Sequence, residues 1–177
     1  MSEIYLSETY PIKTRIHPQE VTMNYYITED KTKMPIEEVM RLFKMTYWAA
    51  ERPAEAILKS MDNSCCFAVI DEDTGKMLGF ARAVTDYSTV YYLCDVVIDE
   101  ACRGRGIGTA LINHINEYEP LKDIRGLLIT KDANGLYDKF GFVVLNNRAM
   151  AKGLVKLTPA DEQKMAESAA AQPNFDD

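Results

Sequence analysis

Histidine is nearly absent from this 177-residue chain, which has only His17 and His114. Cysteine occurs four times, never with C-x-x-C spacing, at Cys65, Cys66, Cys94 and Cys102. This scarcity disfavours a metal site built from histidine and cysteine side chains. Three of the cysteines lie in or beside apolar segments, so we interpret them as buried, reduced thiols and expect no metal.

Long apolar runs and an excess of basic residues are also missing. No apolar run approaches the roughly 18 residues of a membrane span, and the N-terminus lacks the charged-then-apolar pattern of a secretory signal. The net charge is −7 and the pI is about 4.9, whereas a protein that binds nucleic acid needs a basic surface. These absences predict a cytoplasmic protein with no membrane and no nucleic-acid partner.

The most informative segment runs from Asp95 to His114. An apolar run ends at Arg103, three glycines follow within five residues, and apolar residues then recur with helical spacing. Glycine lets the backbone approach a ligand closely, and the first amides of a helix have no intrahelical partner. The segment therefore predicts a strand, a glycine turn and a helix whose N-terminus binds an anion.

Two common phosphate-binding patterns do not fit this turn. A dinucleotide-binding G-x-G-x-x-G fails because its last position is Thr109 or Leu111, and no Gly-Lys-Ser/Thr of a Walker A loop follows. The pattern that remains is R-x-x-G-x-G, formed by Arg103, Gly106 and Gly108. It resembles the motif with which the GNAT superfamily of N-acetyltransferases binds the pyrophosphate of acetyl-coenzyme A (acetyl-CoA).

A second segment of the chain resembles the same superfamily. After the apolar residues 127–129, the chain matches the superfamily pattern A-x-x-L-Y-x-x-x-G-F at Ala133, Leu136, Tyr137, Gly141 and Phe142. The superfamily usually has Asn three residues before this Ala, whereas this chain has Thr130, whose hydroxyl can still make a contact. Two motifs in the right order and separation make the resemblance specific over residues 25–145.

The resemblance implies an α/β (α+β) protein with the GNAT fold. That fold is a central mixed, mostly antiparallel sheet of about six to seven strands, splayed at the fourth and fifth strands, with about four helices on both faces. We predict an N-terminal extension at 1–20, a single GNAT domain at 21–157 and a polar, frayed or disordered tail at 158–177.

Hydrophobic periodicity predicts the elements of this fold. A first strand is expected over Met23–Thr28, and then a helix whose apolar face extends from Ile36 to Ala50 and includes Tyr47 and Trp48. A second helix is expected after Pro53. Further strands are expected at residues 66–70, 77–84, 90–98, 127–130, 142–145 and 148–157, with a helix from residue 107 to just before Pro120.

The resemblance also implies which residues bind the coenzyme. Backbone amides from Arg105 to Thr109 would bind the pyrophosphate, and main-chain groups of Val96 and Ile98 would pair with the pantetheine arm as another strand does. A backbone N–H there would polarise the thioester carbonyl. The full expected set is Val96, Ile98, Arg103, Gly104, Arg105, Gly106, Ile107, Gly108, Thr109, Thr130 and Tyr137.

Tyr137 matches the usual general acid of the superfamily. The pKa of a phenol, about 10, is close enough to that of a thiol, about 8–9, for a positioned Tyr to protonate a leaving thiolate. The alternative is that Tyr137 only packs a helix onto the sheet.

Asp95 is the candidate base, because it is a charge within an apolar strand and burying a carboxylate without a partner is costly. It would take the proton of the attacking amine. Two alternatives stay open: Asp95 binds a cationic acceptor, or it pairs with Arg82 on the neighbouring strand in a structural ion pair. Weaker candidates for the acceptor pocket are Tyr92, Asp86 and Arg52. The resemblance implies that the two helices after the first strand help to form that pocket, and Tyr47 or Trp48 could line it if they do not belong to the core.

The leading functional hypothesis is an N-acetyltransferase that moves the acetyl group of acetyl-CoA to a primary amine of a small molecule or peptide, by direct attack in a ternary complex. The alternatives are a catalytically silent acyl-CoA sensor or interaction module, and an α/β domain whose glycine turn binds nothing. A covalent acetyl-cysteine route is disfavoured because no cysteine has an activating partner in sequence. The acidic composition slightly favours cationic amines, and edge strands near the C-terminus would allow a homodimer.

Overall fold

A five-stranded sheet forms the centre of the protein. The computed structural model describes residues 23 to 145, and within them the strands lie side by side in chain order. They are β1 (Tyr25–Thr28), β2 (Cys65–Asp71), β3 (Met77–Thr85), β4 (Val90–Ile98) and β5 (Arg125–Leu128). The first four are antiparallel neighbours, and β5 runs parallel to β4. The mixed, mostly antiparallel sheet is confirmed, with fewer strands than predicted.

Helices cover both faces of the sheet, as expected for an α/β fold. They are α1 (Ile36–Phe43), α2 (Ala54–Asp62), α3 (Ile107–Glu117) and the short α4 (Asn134–Tyr137). One apolar core lies between the sheet and α1 and α2, and the other lies between the sheet and α3. Strand β2 contributes alternate residues to the two cores, such as Phe67 and Ala68, which is why nearly all of it is apolar.

Strand β4 contains a β-bulge at Asp95. Opposite it, β3 skips a position, so that Phe80 pairs with Val97 while Arg82 pairs with Cys94. Asp95 has a φ of 55°, a left-handed conformation that is rare for residues other than glycine. One extra residue reverses the alternation of side chains. Before the bulge the odd-numbered Tyr91 and Leu93 face the α3 core, whereas after it the even-numbered Val96 and Ile98 do.

The pairing between β4 and β5 ends just before this bulge. The parallel register runs from Val90 with Arg125 to Leu93 with Leu128, and β4 then continues for five residues without β5. Within the described residues, the backbone from Cys94 to Ile98 therefore has a strand partner on its β3 side only.

Two predictions of secondary structure are wrong. Helix α1 ends at Phe43 rather than continuing to Ala50, because the Thr46 hydroxyl bonds to the Phe43 carbonyl oxygen at 2.8 Å and accepts from the Ala49 amide at 3.2 Å. Tyr47 and Trp48 consequently lie outside the core, with 74% and 46% of their surfaces exposed.

The strand predicted at residues 142–145 is not formed. Phe142 packs against the core on the α3 side, but Val143, Val144 and Leu145 are exposed and pair with no strand among the described residues. The predicted N-terminal extension at 1–20, the edge strand at 148–157 and the tail at 158–177 lie outside the described residues.

Candidate active site

The glycine turn precedes α3, as predicted, and its backbone is open. Gly104 and Gly106 have φ values of 75° and 82°, and an added Cβ on either would meet no atom within 4 Å. Helix α3 begins at Ile107 with no side-chain cap, since Gly106 occupies the N-cap position. The first amides of α3 are therefore free of the side-chain acceptors that usually satisfy a helix N-terminus, and the space beside the turn suits an anionic group.

The two arginines of the turn have different contacts. Arg103 Nε donates to the Ile98 carbonyl oxygen at 3.2 Å, and Arg103 forms an exposed ion pair with Glu100 at 3.3 Å. The guanidinium of Arg105 contacts the Met23 sulfur at 3.1 Å. Arg103 thus connects the turn to the end of β4, so the turn and the unpaired part of β4 lie together.

The second motif places Thr130 in the loop after β5 and Tyr137 at the last residue of α4. The Thr130 hydroxyl accepts a hydrogen bond from the Ala133 amide at 3.1 Å, which fixes the entry into α4. Tyr137 ends α4 with 8% of its surface exposed, and its ring makes an edge contact with Phe142. Burial raises the pKa of Tyr137 above the ordinary value for a phenol, so it remains a proton donor at neutral pH.

The Tyr137 hydroxyl forms no hydrogen bond with any other described residue. Its ring packs with the α3-side core, which agrees with the packing role that the sequence left open. The packing fixes the ring, and no described residue occupies the hydroxyl.

Asp95 is buried and bound by two arginines. Arg52 donates to both carboxylate oxygens at 2.8 and 3.1 Å, and Arg82 Nε donates to Oδ2 at 2.9 Å. Only 3% of the Asp95 side chain is exposed. The predicted pairing with Arg82 is present, and Arg52 adds a bidentate contact that sequence reasoning did not find.

Each arginine comes from a different part of the fold. Arg52 lies in the loop between α1 and α2 and stacks over the Phe43 ring at 5.2 Å, whereas Arg82 lies on β3 and also donates to Ser64 Oγ at 2.8 Å. The carboxylate thus ties the bulge of β4 to β3 and to the α1–α2 loop. We call Arg52, Arg82 and Asp95 the bulge charge cluster.

The side of the sheet that faces α1 and α2 carries the other acceptor candidates. Tyr92 is 39% exposed, and Tyr47 and Trp48 extend from the α1–α2 loop with their rings in edge contact at 4.9 Å. Lys131, in the loop after β5, lies 5.9 Å from the Tyr47 ring centroid. These contacts bring the α1–α2 loop and the β5–α4 loop together beside the splayed strands.

Asp86 is not part of this arrangement. Its carboxylate accepts hydrogen bonds from Ser88, Thr89 and Val90 in the turn that precedes β4, whereas Asp95 lies within the strand, at the bulge. The hydrogen bonds from Thr89, above all that of its hydroxyl, lower the pKa of Asp86, which marks the carboxylate as an acceptor that organises the turn.

Cys94 lies next to Asp95 on the same strand. Burial raises the pKa of its thiol to about 11, so the thiol is protonated at neutral pH and is a poor nucleophile. This agrees with the low expectation for a covalent acetyl-cysteine route. Among residues 23 to 145, no three His, Cys, Asp or Glu side chains are arranged to hold a metal ion. Nor does any helix there have the length and apolar character to cross a membrane.

Comparisons with known proteins agree on one family. The sequence model of the acetyltransferase (GNAT) family matches residues 35–142. A curated protein of Gibberella zeae, provisionally named an acetyltransferase, is 26% identical over 145 residues, which are 69% of this chain and 81% of that protein.

Solved structures are similar over the same region. A GNAT-family protein of Xanthomonas campestris pv. campestris, also provisionally named an acetyltransferase, is 30% identical with a TM-score of 0.69, covering 74% of this chain and 94% of that one. An aminoglycoside N-acetyltransferase in complex with CoA has a TM-score of 0.54 at 19% identity, covering 75% of this chain and 95% of that one. At this low sequence identity, the second similarity shows only that the two proteins share a fold.

Proposed function

This chain belongs to the acetyltransferase (GNAT) family, and from this membership we propose that it is an N-acetyltransferase. It transfers the acetyl group of acetyl-CoA to a primary amine of a small molecule or peptide, by direct attack within a ternary complex. One observation carries the proposal: beyond Leu93, where the pairing with β5 ends and the bulge begins, the β4 backbone has no β5 partner among the described residues, and it lies beside an uncapped helix N-terminus and a glycine turn.

The residues of this region fit coenzyme A in their chemistry. The positive φ of Gly104 and Gly106, and the open space beside them, suit backbone contacts to a pyrophosphate. The amides of Ile107, Gly108 and Thr109 would hold it, with Arg105 beside them. The relative whose structure contains CoA shares this fold, which supports the same placement of the coenzyme here.

The unpaired β4 backbone would bind the pantetheine arm. Main-chain groups of Val96 and Ile98 are candidates for this pairing, as the sequence predicted, although the Ile98 carbonyl oxygen already accepts from Arg103. A backbone N–H near the bulge would stabilise the negative charge that develops on the thioester oxygen during attack. Thr130 serves this site by holding the entry to α4 and hence the position of Tyr137.

Tyr137 would donate its phenolic proton to the departing thiolate. Acetyl-CoA supplies the thioester, the amine nitrogen forms the new bond to the acetyl carbon, and the sulfur leaves as a thiolate that takes the proton. The raised pKa of Tyr137 keeps that proton available at neutral pH. The amine must arrive neutral, having lost one proton to solvent. After the attack its nitrogen loses a second proton to solvent, and the Tyr137 phenolate takes up a proton from solvent, so the products are the amide, the CoA thiol and the unchanged enzyme.

Asp95 is better suited to positioning than to proton abstraction. Both of its oxygens already accept hydrogen bonds from guanidinium groups, and only 3% of the side chain is exposed, so an amine has little access to the carboxylate. Of the roles that the sequence left open, the structural ion pair is the one that the geometry supports. In this role Asp95 holds the bulge and, with it, the backbone that contacts the thioester.

The experiment that tests this function is thiol release from acetyl-CoA across a panel of primary amines. We expect turnover with at least one amine, and a loss of about 100-fold or more in kcat for Tyr137→Phe, as is typical when a general acid is removed. Tyr91→Phe is the matched control, since Tyr91 is a buried tyrosine of β4 whose pKa is also raised by burial. Unchanged turnover in Tyr137→Phe would refute the assignment of this residue.

Binding and turnover together separate the alternatives. CoA should raise the melting temperature, because a ligand that binds only the folded state stabilises it. A clear rise in melting temperature without turnover on any amine would favour the silent acyl-CoA sensor. No rise in melting temperature would favour the α/β domain whose glycine turn binds nothing. The homodimer and the cytoplasmic location stay predictions.

A further inference from the structure

We infer that the acceptor amine carries an anionic group, a carboxylate or a phosphate, which binds at Arg52 in the bulge charge cluster. This inference rests on the proposed function and narrows its substrate class. It also reverses the slight preference for cationic amines that the acidic composition suggests, because the charge at this position differs from the charge of the whole chain.

The first argument is an imbalance of charge. Arg52 and Arg82 both contact Asp95, so within residues 23 to 145 two cations share one buried anion. A neighbouring cluster on the same face of the sheet is balanced, because Arg41 and Lys76 are paired with Glu38 and Asp99. A partly buried cation without its own counter-ion is costly, and a ligand that supplies the missing negative charge would be favoured there.

The second argument concerns unused hydrogen-bond donors. A guanidinium group has five N–H donors. Within the described residues, Arg52 uses its two terminal nitrogens on Asp95, and Arg82 uses one N–H on Asp95 and one on Ser64. The Arg52 side chain is 26% exposed, whereas the Asp95 side chain that it covers is 3% exposed. Arg52 therefore has both donors and access for a planar anion.

The third argument is the position of the cluster. Arg52 and Lys44 line the same narrow gap, with room for about one water molecule, between α1, α2 and the loop that joins them. Tyr47 and Trp48 extend from this loop, and Lys131 lies against Tyr47. The cationic groups are therefore on the acceptor side of β4, separate from Arg103 and Arg105 of the glycine turn.

The test compares amines that carry or lack the anion, glycine with glycinamide and phosphoethanolamine with ethanolamine. Because the anion also raises the pKa of the amine, kcat/KM is calculated for the concentration of neutral amine, and its ratio within each pair is the anion preference. We expect the wild type to favour at least one anionic member by about tenfold, the effect of one charge-assisted hydrogen bond. The two pairs distinguish a carboxylate from a phosphate.

Variants of the cluster decide whether Arg52 is responsible. Arg52→Gln should reduce the anion preference about tenfold and leave the KM for acetyl-CoA unchanged, and Arg52→Lys should keep part of the preference. Arg41→Gln, which changes an arginine of the balanced cluster, is the matched control and should not alter the preference.

Three results would overturn the inference. The first is a wild type that prefers the neutral members of both pairs, and the second is an anion preference that survives Arg52→Gln. The third is a loss of acetyl-CoA affinity in Arg52→Gln that is as large as the loss of anion preference, because Arg52 would then bind acetyl-CoA rather than the acceptor amine. If no amine is acetylated, the proposed function fails, and calorimetric binding of the N-acetylated forms of all four amines in the presence of CoA still tests Arg52. Equal binding of the anionic and neutral members within both pairs would then refute the inference.

Discussion

Substitutions at Asp95 separate the two unusual properties of this residue, its ion pairs and its left-handed backbone. Asp95→Asn removes the charge and keeps a side chain that tolerates positive φ. Asp95→Gly removes the side chain and relaxes the backbone. Asp95→Ala removes the same contacts and places a Cβ on a residue with a φ of 55°.

The magnitudes follow from the contacts. Asp95 accepts three hydrogen bonds from two guanidinium groups and is almost fully buried. Removing one partner of a buried ion pair costs about 3–5 kcal/mol, and since Arg52 keeps some solvent access we expect Asp95→Asn to lose about 3 kcal/mol. Asp95→Ala should be about 1 kcal/mol less stable than Asp95→Gly, because a side chain disfavours the left-handed region.

Urea unfolding followed by circular dichroism measures these differences, and a loss of about 3 kcal/mol should lower the melting temperature by on the order of 10 °C. A double-mutant cycle of Asp95→Asn with Arg52→Gln should give a coupling free energy of about 1–3 kcal/mol. If Asp95→Asn unfolds like the wild type, the ion pairs do not stabilise the fold. If Asp95→Ala is as stable as Asp95→Gly, the backbone at Asp95 is not left-handed.

Two further predictions concern packing and alkaline pH. Gly126→Ala should lower the free energy of unfolding in urea by about 2 kcal/mol, since the new Cβ would lie 2.5 Å from the Tyr91 ring. Gly135→Ala is the control, because a Cβ there would lie in open space and should not destabilise the fold. Equal effects of the two substitutions would refute this packing. Burial raises the pKa of Cys66 from an ordinary 9.0 to about 11. Above pH 9 this thiol ionises in the unfolded chain but stays protonated in the folded one, which favours unfolding. The free energy of unfolding should therefore be unaffected by Cys66 below pH 9 and fall by up to about 2–3 kcal/mol as the pH rises to 11. Cys66→Ala should show a shallower decline in unfolding free energy over that interval, and an identical decline would contradict the assignment.

The elements that the sequence predicted well are those with strong local signals. The bounds of β4 match those expected, because an apolar run over Val90–Ile98 is long enough for a central strand. Helix α3 begins at Ile107, directly after the glycines, and ends before Pro120. Both motifs of the resemblance fall within the family match at residues 35–142.

The remaining features depend on contacts between residues distant in sequence. The hairpin of β3 and β4 made Arg82 a foreseeable partner of Asp95, but nothing local pairs Arg52 with a carboxylate 43 residues away. Hydrophobic periodicity also misplaced Tyr47 and Trp48, since the hydroxyl of Thr46 ends the helix whatever the pattern of apolar residues beyond it. Side-chain hydrogen bonds of this kind are not visible in a periodicity count.

The bulge explains how one strand can serve both sides of the sheet. Tyr91 and Leu93 face the α3 core, and strict alternation would direct the Asp95 carboxylate into the same apolar core. The extra residue instead directs Asp95 to the other face, where the arginines lie, and turns Val96 and Ile98 toward the α3 side. Because the register change, the ion pairs and the reversed parity all occur at one residue, a loss of the Asp95 contacts would disturb the donor and acceptor sides together.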